Sequence, residues 1–558
     1  MTTDVQEREV PVKGAAKKET REVFLRNSSG VVRAMSTRDG MFFGYLSGTG
    51  LYGVALFFFM GLGTFPGASV TLALIINLVI FAAVYGAYSM LGSAMPRSGG
   101  DYVFQSRIIS PAFGFVATFS GLCFWQFFYA FLAANVLVTA CLVPFCQGIG
   151  AITGGHGWIT VANWLAGTHV TLAFAIFFLL LAGVIMSRGM RVYLLIQRWF
   201  MIGLTAIAIA IIGIQWLVVP HSTFLHNFNK FERAIGALSA SNVISKAAQL
   251  GYTPHAFSWG STLALTALLG SGTYLWCMWQ TELLGEMKSA GNLRRVFTSM
   301  WGGAVLITVT FLIALTMTYH YVGWHLMGPF IFLAFKHPDA LGGGWAVRGA
   351  PSFFMIPTLN VIVAIVIFLG FFGPISQSMF NTTMAVSRLL LAQSFDRVLP
   401  SWVGQVNRRG VPGNAVWGGT AVAIVLAILF SIQPTLSQTL VAGYVFGFLG
   451  LIGTPIAAIL FPYRMRATYA ASPAARYKVF GLPAVSIVGV LALAVFVFIN
   501  VELLSQPATG VLTRAALWSW ITFFVVTAAA IIYYFVRAAV LKKSGTDLRH
   551  AFRDVPPE

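Results

Sequence analysis

Long apolar runs separated by short polar links recur along this chain, and hydropathy places them at 41–62, 69–94, 113–141, 170–187, 193–219, 259–284, 297–320, 354–390, 414–432, 436–462, 482–504 and 513–537. Each comes close to or exceeds the roughly 20 residues that carry a helix across a bilayer. The pattern predicts twelve helices and an all-α integral membrane protein. Two runs are interrupted at their centres. The first carries Gly48 and Gly50 inside Ser47 to Tyr52 (SGTGLY), and the sixth carries Gly270-Ser271-Gly272. Glycine weakens a helix, and in hydrocarbon a freed N–H or C=O costs several kcal/mol unless protein or trapped water satisfies it. Either triplet alone is explained by small residues that let neighbouring helices approach. Two such breaks in corresponding places of two halves point to a transporter's binding site. The eighth run is too long for one straight span and is expected to tilt or continue past the bilayer, with Gly373-Pro374 bending its middle.

Composition agrees. The chain is 58% hydrophobic and 9% charged, against about 25% charged in soluble globular proteins. The first 22 residues are polar and charged, so a signal peptide is not expected and the spans themselves must direct insertion. A net charge of +19 raises nucleic acid as a partner, but the basic residues fall in alternate loops. With a cytosolic amino terminus, 29 of the 35 Lys and Arg lie inside and 6 outside, which predicts both termini cytosolic. Nucleic acid is not expected as a partner; membrane lipid is. Val23 to Arg33 suits either a membrane-surface segment or a solvated tail. The histidines show no ligand spacing, so no metal is expected, and Cys123, Cys141, Cys146 and Cys277 read as buried free thiols, with a Cys141–Cys146 pair as the alternative.

Met95 to Phe104 (MPRSGGDYVF), with Ser106-Arg107 and Pro111 to Phe115 behind it, resembles the MPRSGGDY-type signature of the amino acid–polyamine–organocation superfamily of permeases. Ser47 to Tyr52 is similar to that family's first-helix G-[ST]-G break, and Gly285-Glu286-Met287-Lys288 to the GEvK stretch ending its sixth helix. Ser387-Arg388, Asp396 to Pro400 and Pro412 resemble the segments after its eighth helix and into its ninth. The likeness spans roughly residues 24 to 500. It implies a leucine-transporter-type 5+5 inverted repeat plus two C-terminal helices. On that plan residues 1–40 are a cytosolic tail, 41–219 the first repeat, 220–258 an extracytoplasmic loop, 259–463 the second repeat, 464–537 the last two spans with their preceding loop, and 538–558 a cytosolic tail. Two departures stand out. The family's aromatic–x–Gly break falls about twelve residues before Lys288, where this chain has Trp276 behind Tyr274, and the Asn-Pro after that lysine is Ser289-Ala290.

An unwound helix centre offers N–H groups to a carboxylate and C=O groups to an ammonium, which together suit a zwitterionic amino acid. The expected substrate-binding residues are Gly48, Thr49, Gly50, Gly270, Ser271, Gly272, Tyr274, Trp276 and Trp125, with Tyr129 as a farther wall. For each aromatic, core or lipid packing is the plainer alternative. No acidic residue lies beside either break, which disfavours a polyamine or arginine. Glu282 and Glu286 are spaced to share a helix face, Glu282 as a proton carrier or gate residue or both as interfacial carboxylates. Arg97 and Asp101 are spaced to meet as an exposed pair or in an inner gate.

No cofactor is expected beyond a coupling ion, Na+ or H+. Some proton-coupled relatives place a lysine in the fifth helix; Trp199 to Val219 has no ionisable residue, and Leu204 or a neighbour stands there. Ser376 and Ser378, with first-helix carbonyls, could make an oxygen cage for a small cation, or simply bond to their own helix. The expectation is a secondary transporter of neutral L-amino acids in the plasma membrane. A polyamine carrier and a non-transporting sensor with a permease fold are its rivals. A channel and a membrane-embedded enzyme fit less well, and no P-loop supports ATP-driven pumping.

Overall fold

A computed structural model describes residues 33–48, 50–342, 350–432 and 440–545, together with 548 and 552. The basic tail, Thr49 and residues 343–349 and 433–439 therefore lie outside the described residues. Among the described residues ten helices are long and apolar enough to cross a membrane. The two remaining apolar runs are the glycine-interrupted ones, and both are broken.

The first run forms α1 (Thr37–Ser47) and α2 (Gly50–Thr64). Ser36 opens α1 as a capping box, its hydroxyl accepting from the Asp39 N–H while Asp39 accepts from the Ser36 N–H. α3 (Val70–Ala94) leads to the short helix α4 (Gly100–Ile108) inside the MPRSGGDY stretch. Then come α5 (Pro111–Thr153), α6 (Thr168–Met186) and α7 (Met190–Val218). The sixth run forms α8 (Trp259–Gly272) and, after a break at Thr273, a tight 3₁₀ segment over Tyr274–Glu282 and Leu284–Glu286. α9 (Leu293–Tyr321), α10 (Val361–Phe395), α11 (Gly413–Ile432), α12 (Gly443–Arg464), α13 (Ala484–Ser505) and α14 (Leu517–Lys543) complete the order.

Burial is turned inside out relative to a soluble protein. The polar groups Asn77, Gln105, Gln197, Arg388 and Gln393 are fully buried, whereas Ile202, Leu217, Val490, Phe524 and Val536 are exposed along α7, α13 and α14. Apolar solvent on the outside is the condition that makes this arrangement stable. This is a multi-pass membrane protein. α10 runs 35 residues without interruption through Pro374, about 52 Å at the ordinary rise and well beyond a hydrocarbon core of about 30 Å. The expected excess length is real. All four cysteines are free and buried, so Cys141 and Cys146 are not paired.

Candidate functional site

The two broken helices meet at their breaks. Gly48 ends α1, and a methyl group added to it would stand 2.7 Å from the Thr273 carbonyl oxygen. One turn earlier, a methyl on Gly44 would lie 3.2 Å from the Cys277 backbone. Gly50 has φ +52°, the left-handed region that glycine enters without strain, and a methyl there would meet Pro374 of α10 and the Tyr45 ring, both at 3.1 Å. The space beside these two glycines is thus filled by protein: their smallness brings α1, α2, the 3₁₀ segment and α10 together. Thr49 lies outside the described residues, as does the side chain of Trp125.

The sixth-run residues divide. Gly270, Ser271 and Gly272 are not the break but the last turn of α8. Gly270 faces Asn77 and Phe81 of α3, and the Ser271 hydroxyl donates to the Leu268 carbonyl, 2.9 Å away. Unwinding starts one residue later, because the chain enters a 3₁₀ path at Thr273 that no glycine demands. Tyr274 points into the scaffold: its hydroxyl bonds Thr308 of α9 at 2.6 Å and its carbonyl accepts from Tyr85 of α3 at 2.7 Å. Trp276 turns the other way. Its ring stacks on Tyr129 of α5, centroids 6.4 Å apart, and meets Trp279 edge-on at 5.7 Å. The Tyr129 hydroxyl reaches Ser378 of α10 at 3.2 Å. Trp276, Tyr129 and Ser378 therefore converge from three elements beside the paired breaks. A π-helical turn at Thr118–Cys123 in α5, just before Tyr129, re-aims this part of the helix.

The Ser378 hydroxyl meets Tyr129 of α5, and Ser376 is buried on the same helix. What bridges α1 and α10 is Asn381. Its amide N–H groups donate to the Phe43 carbonyl at 3.1 Å and to the Ser47 hydroxyl at 2.7 Å. Its oxygen accepts from Tyr193 of α7 at 2.5 Å and from Gln377 at 3.0 Å. Gln197 adds a bond from α7 to the Asp39 carbonyl at 2.9 Å.

Below the breaks, charged groups close the base. Arg107 of α4 grips Asp396 at the end of α10 with two bonds of 2.5 and 2.7 Å. Arg388 of α10 bonds Glu286 at 2.5 Å, with both side chains essentially unexposed. Arg198 of α7 holds Asp39 of α1 with two bonds of 2.8 Å. Backbone bonds tie the same elements: Met35 N–H to the Glu286 carbonyl, Lys288 N–H to the Met35 carbonyl and Gly99 N–H to the Glu282 carbonyl, each 3.0 Å.

Glu282 and Glu286 do not share a face. An i, i+4 pair lines up on an α-helix, but a 3₁₀ path turns every three residues, so Glu286 goes to Arg388 and Glu282 to Asp101. Asp101 is fully buried and forms no exposed pair; Arg97 donates to the Pro96 carbonyl at 3.3 Å. The Asp101 N–H donates to Glu282 Oε1 at 3.2 Å, and Asp101 Oδ1 accepts from the Tyr88 hydroxyl at 2.9 Å and from Thr454. Burial is the largest effect on the Asp101 carboxyl and holds its pKa above the ordinary carboxylate value, with bonds to Glu282, Thr454 and Tyr88 opposing. The sequence singled out none of Asn381, Tyr193, Tyr88 and Thr454. Asn381 had one signal, a carboxamide in the middle of a long apolar run.

Comparison with known proteins agrees with this architecture. The family model described as amino acid permease matches residues 40–526. The chain is also similar to the branched-chain amino acid permease BcaP of Lactococcus lactis subsp. cremoris (strain MG1363), 22% identical over 387 residues that cover 69% of this chain and 73% of the relative. With the match running from α1 into α14, the chain belongs to the amino acid permease family, a family of transporters and not of enzymes.

Proposed function

We propose that this permease carries a neutral L-amino acid across the plasma membrane by alternating access, binding it at the paired breaks of the first and sixth spans. The observation that carries the proposal is the meeting of Gly48 with Thr273 beside Trp276, Tyr129 and Ser378. The dipoles of the helix ends that meet at the two breaks suit the ligand's ammonium and carboxylate, and the hydroxyls of Tyr129 and Ser378 add orientation. Trp276, Ile307 and Tyr129 make an apolar surround, which suits the branched side chains for which the Lactococcus relative is named. Asp101 and Glu282 lie below the breaks, on the α4 side, so a cationic side chain would find no partner in this surround.

The twelve-span plan with a 5+5 inverted repeat, and both termini in the cytosol, belong to the same proposal. They rest on the pairing of the two breaks and on the 29-to-6 division of basic residues. Ser378 meets Tyr129, and the Asn381 amide donates to the Phe43 carbonyl and the Ser47 hydroxyl of the first span.

A thermal-shift screen of the purified protein against the twenty amino acids and common polyamines tests the substrate class. A ligand at about 100 times its Kd stabilises the folded state by about 2.7 kcal/mol, and the expected hits are neutral, branched amino acids. Trp276→Ala should abolish the shift, on top of a lowered ligand-free midpoint, because the ring is almost fully buried against Tyr129 and Trp279. Hits confined to polyamines or cationic amino acids would overturn the proposal.

A further inference from the structure

Two carboxyl groups from different parts of the chain face each other inside the base of the molecule. Asp101 and Glu282 are both fully buried, and the Glu282 carboxylate reaches the Asp101 backbone, its Oε1 3.2 Å from the Asp101 nitrogen. One oxygen on each has its donors: Asp101 Oδ1 takes the Tyr88 and Thr454 hydroxyls, and Glu282 Oε1 takes the Asp101 N–H. The remaining oxygens, Asp101 Oδ2 and Glu282 Oε2, are buried and accept from no group among the described residues.

Among the described residues, the surrounding elements bring no free cation to the pair. α3 contributes the Tyr88 hydroxyl, α12 the Thr454 hydroxyl and the π-turn of α5 the Cys123 thiol. From α4 itself, Arg107 is committed to Asp396; from α10, Arg388 is committed to Glu286; and on α1, Asp39 is committed to Arg198. α9 presents Met300 and Ser299 at this level, with Arg294 and Arg295 out at its exposed start. Two like charges this close in a low-dielectric site cannot both ionise, so one proton between them is the arrangement that removes the repulsion and gives the orphaned oxygens a donor.

The position matters as much as the chemistry. Asp101 rides on α4, and Glu282 ends the 3₁₀ segment that descends from the substrate site. The same joint is sealed by the Gly99 N–H to the Glu282 carbonyl. Any opening of the base between α4 and the sixth span must pull the two carboxyls apart.

We propose that Asp101 and Glu282 form a proton-binding site, holding one proton between them while the base is closed and releasing it when they part. On opening, water solvates both groups, the carboxylic O–H breaks, its electron pair stays on oxygen, and the proton leaves to the aqueous side. The pair goes from one negative charge to two. The closed form thus binds the proton more tightly than the open one, so falling pH favours closure and rising pH favours opening. This rests on the alternating-access reading above and gives that transport a proton to couple to.

Two measurements without any amino acid test it. Infrared spectra of the purified protein at neutral pH should show a protonated carboxylic C=O stretch that disappears in the double variant Asp101→Asn/Glu282→Gln. Distances between spin labels at Lys288→Cys and Tyr463→Cys, both exposed, should report closed and open populations. Their open-to-closed ratio should rise by up to tenfold per pH unit, the slope of a single proton. Either single amide variant should stay closed and indifferent to pH, because its N–H donates permanently where the acid's O–H did. A carboxylic band surviving the double substitution, a ratio that ignores pH in the parent protein, or one that follows pH equally in both amide variants would overturn the proposal. A thermal-shift screen without an amino acid hit, alongside these pH responses, would overturn the substrate reading and leave the proton site standing.

Discussion

Asn381 does at the scale of a single residue what helix packing does elsewhere: it binds three spans through one carboxamide. Both its N–H groups and its oxygen are used, on α1, α7 and its own helix. Asn381→Ala would take one bond each from the Phe43 carbonyl, the Ser47 hydroxyl and the Tyr193 hydroxyl, which keeps Gln197, at about 0.5–1.5 kcal/mol for each bond lost. The expected outcome is a clear fall in the thermal midpoint. A double-mutant cycle with Ser47→Ala should be non-additive, because the two side chains bond each other. Asn381 was visible in the sequence only as a polar letter in an apolar run; nothing local told that its partners sit 188 and 338 residues away. Arg388 was likewise readable as a charge near a span's end, but its choice of Glu286 depends on the 3₁₀ path of a distant segment.

At the scale of elements, hydropathy located the spans well because burial in lipid is a property of long apolar runs, and the break at Gly48–Gly50 was legible because a left-handed φ calls for glycine. The sixth-span break was misplaced for the converse reason. Thr273, φ −129°, needs no special residue, while Gly270 is small only because α3 passes close. The aromatic pair of Trp276 and Tyr129 was in view, yet which aromatic turns toward the site is decided by the 3₁₀ register, which separates Trp276 from Tyr274. Gly48→Val should therefore act on the joint between the two broken spans: its side chain would drive into the Thr273 carbonyl and Ile307. Loss of ligand-induced stabilisation, with the protein still monodisperse, is the expected result by thermal shift and size-exclusion chromatography.

Across the whole molecule, the base is held by three ion pairs among the described residues, each joining a different pair of elements, and by the carboxyl pair beside them. Breaking one buried partner costs about 3–5 kcal/mol because a charge is left uncompensated. Asp396→Asn should thus destabilise the closed form by an amount of that order, seen as a larger open fraction with the same spin-label pair. Arg107 and Asp396 are 0% and 1% exposed, as are Arg388 and Glu286, whereas the Arg198 side chain is 44% exposed. Dissolved ions screen charges they can approach and leave enclosed ones nearly untouched. The closed base should therefore be almost blind to ionic strength. The open one, with the four charges of those two pairs and the parted carboxylates newly wetted and each gathering an ionic atmosphere, should not be. Concentrated salt would then favour the open form, so that, on the alternating-access proposal, the ionic strength of the compartment would bear on which way the permease faces.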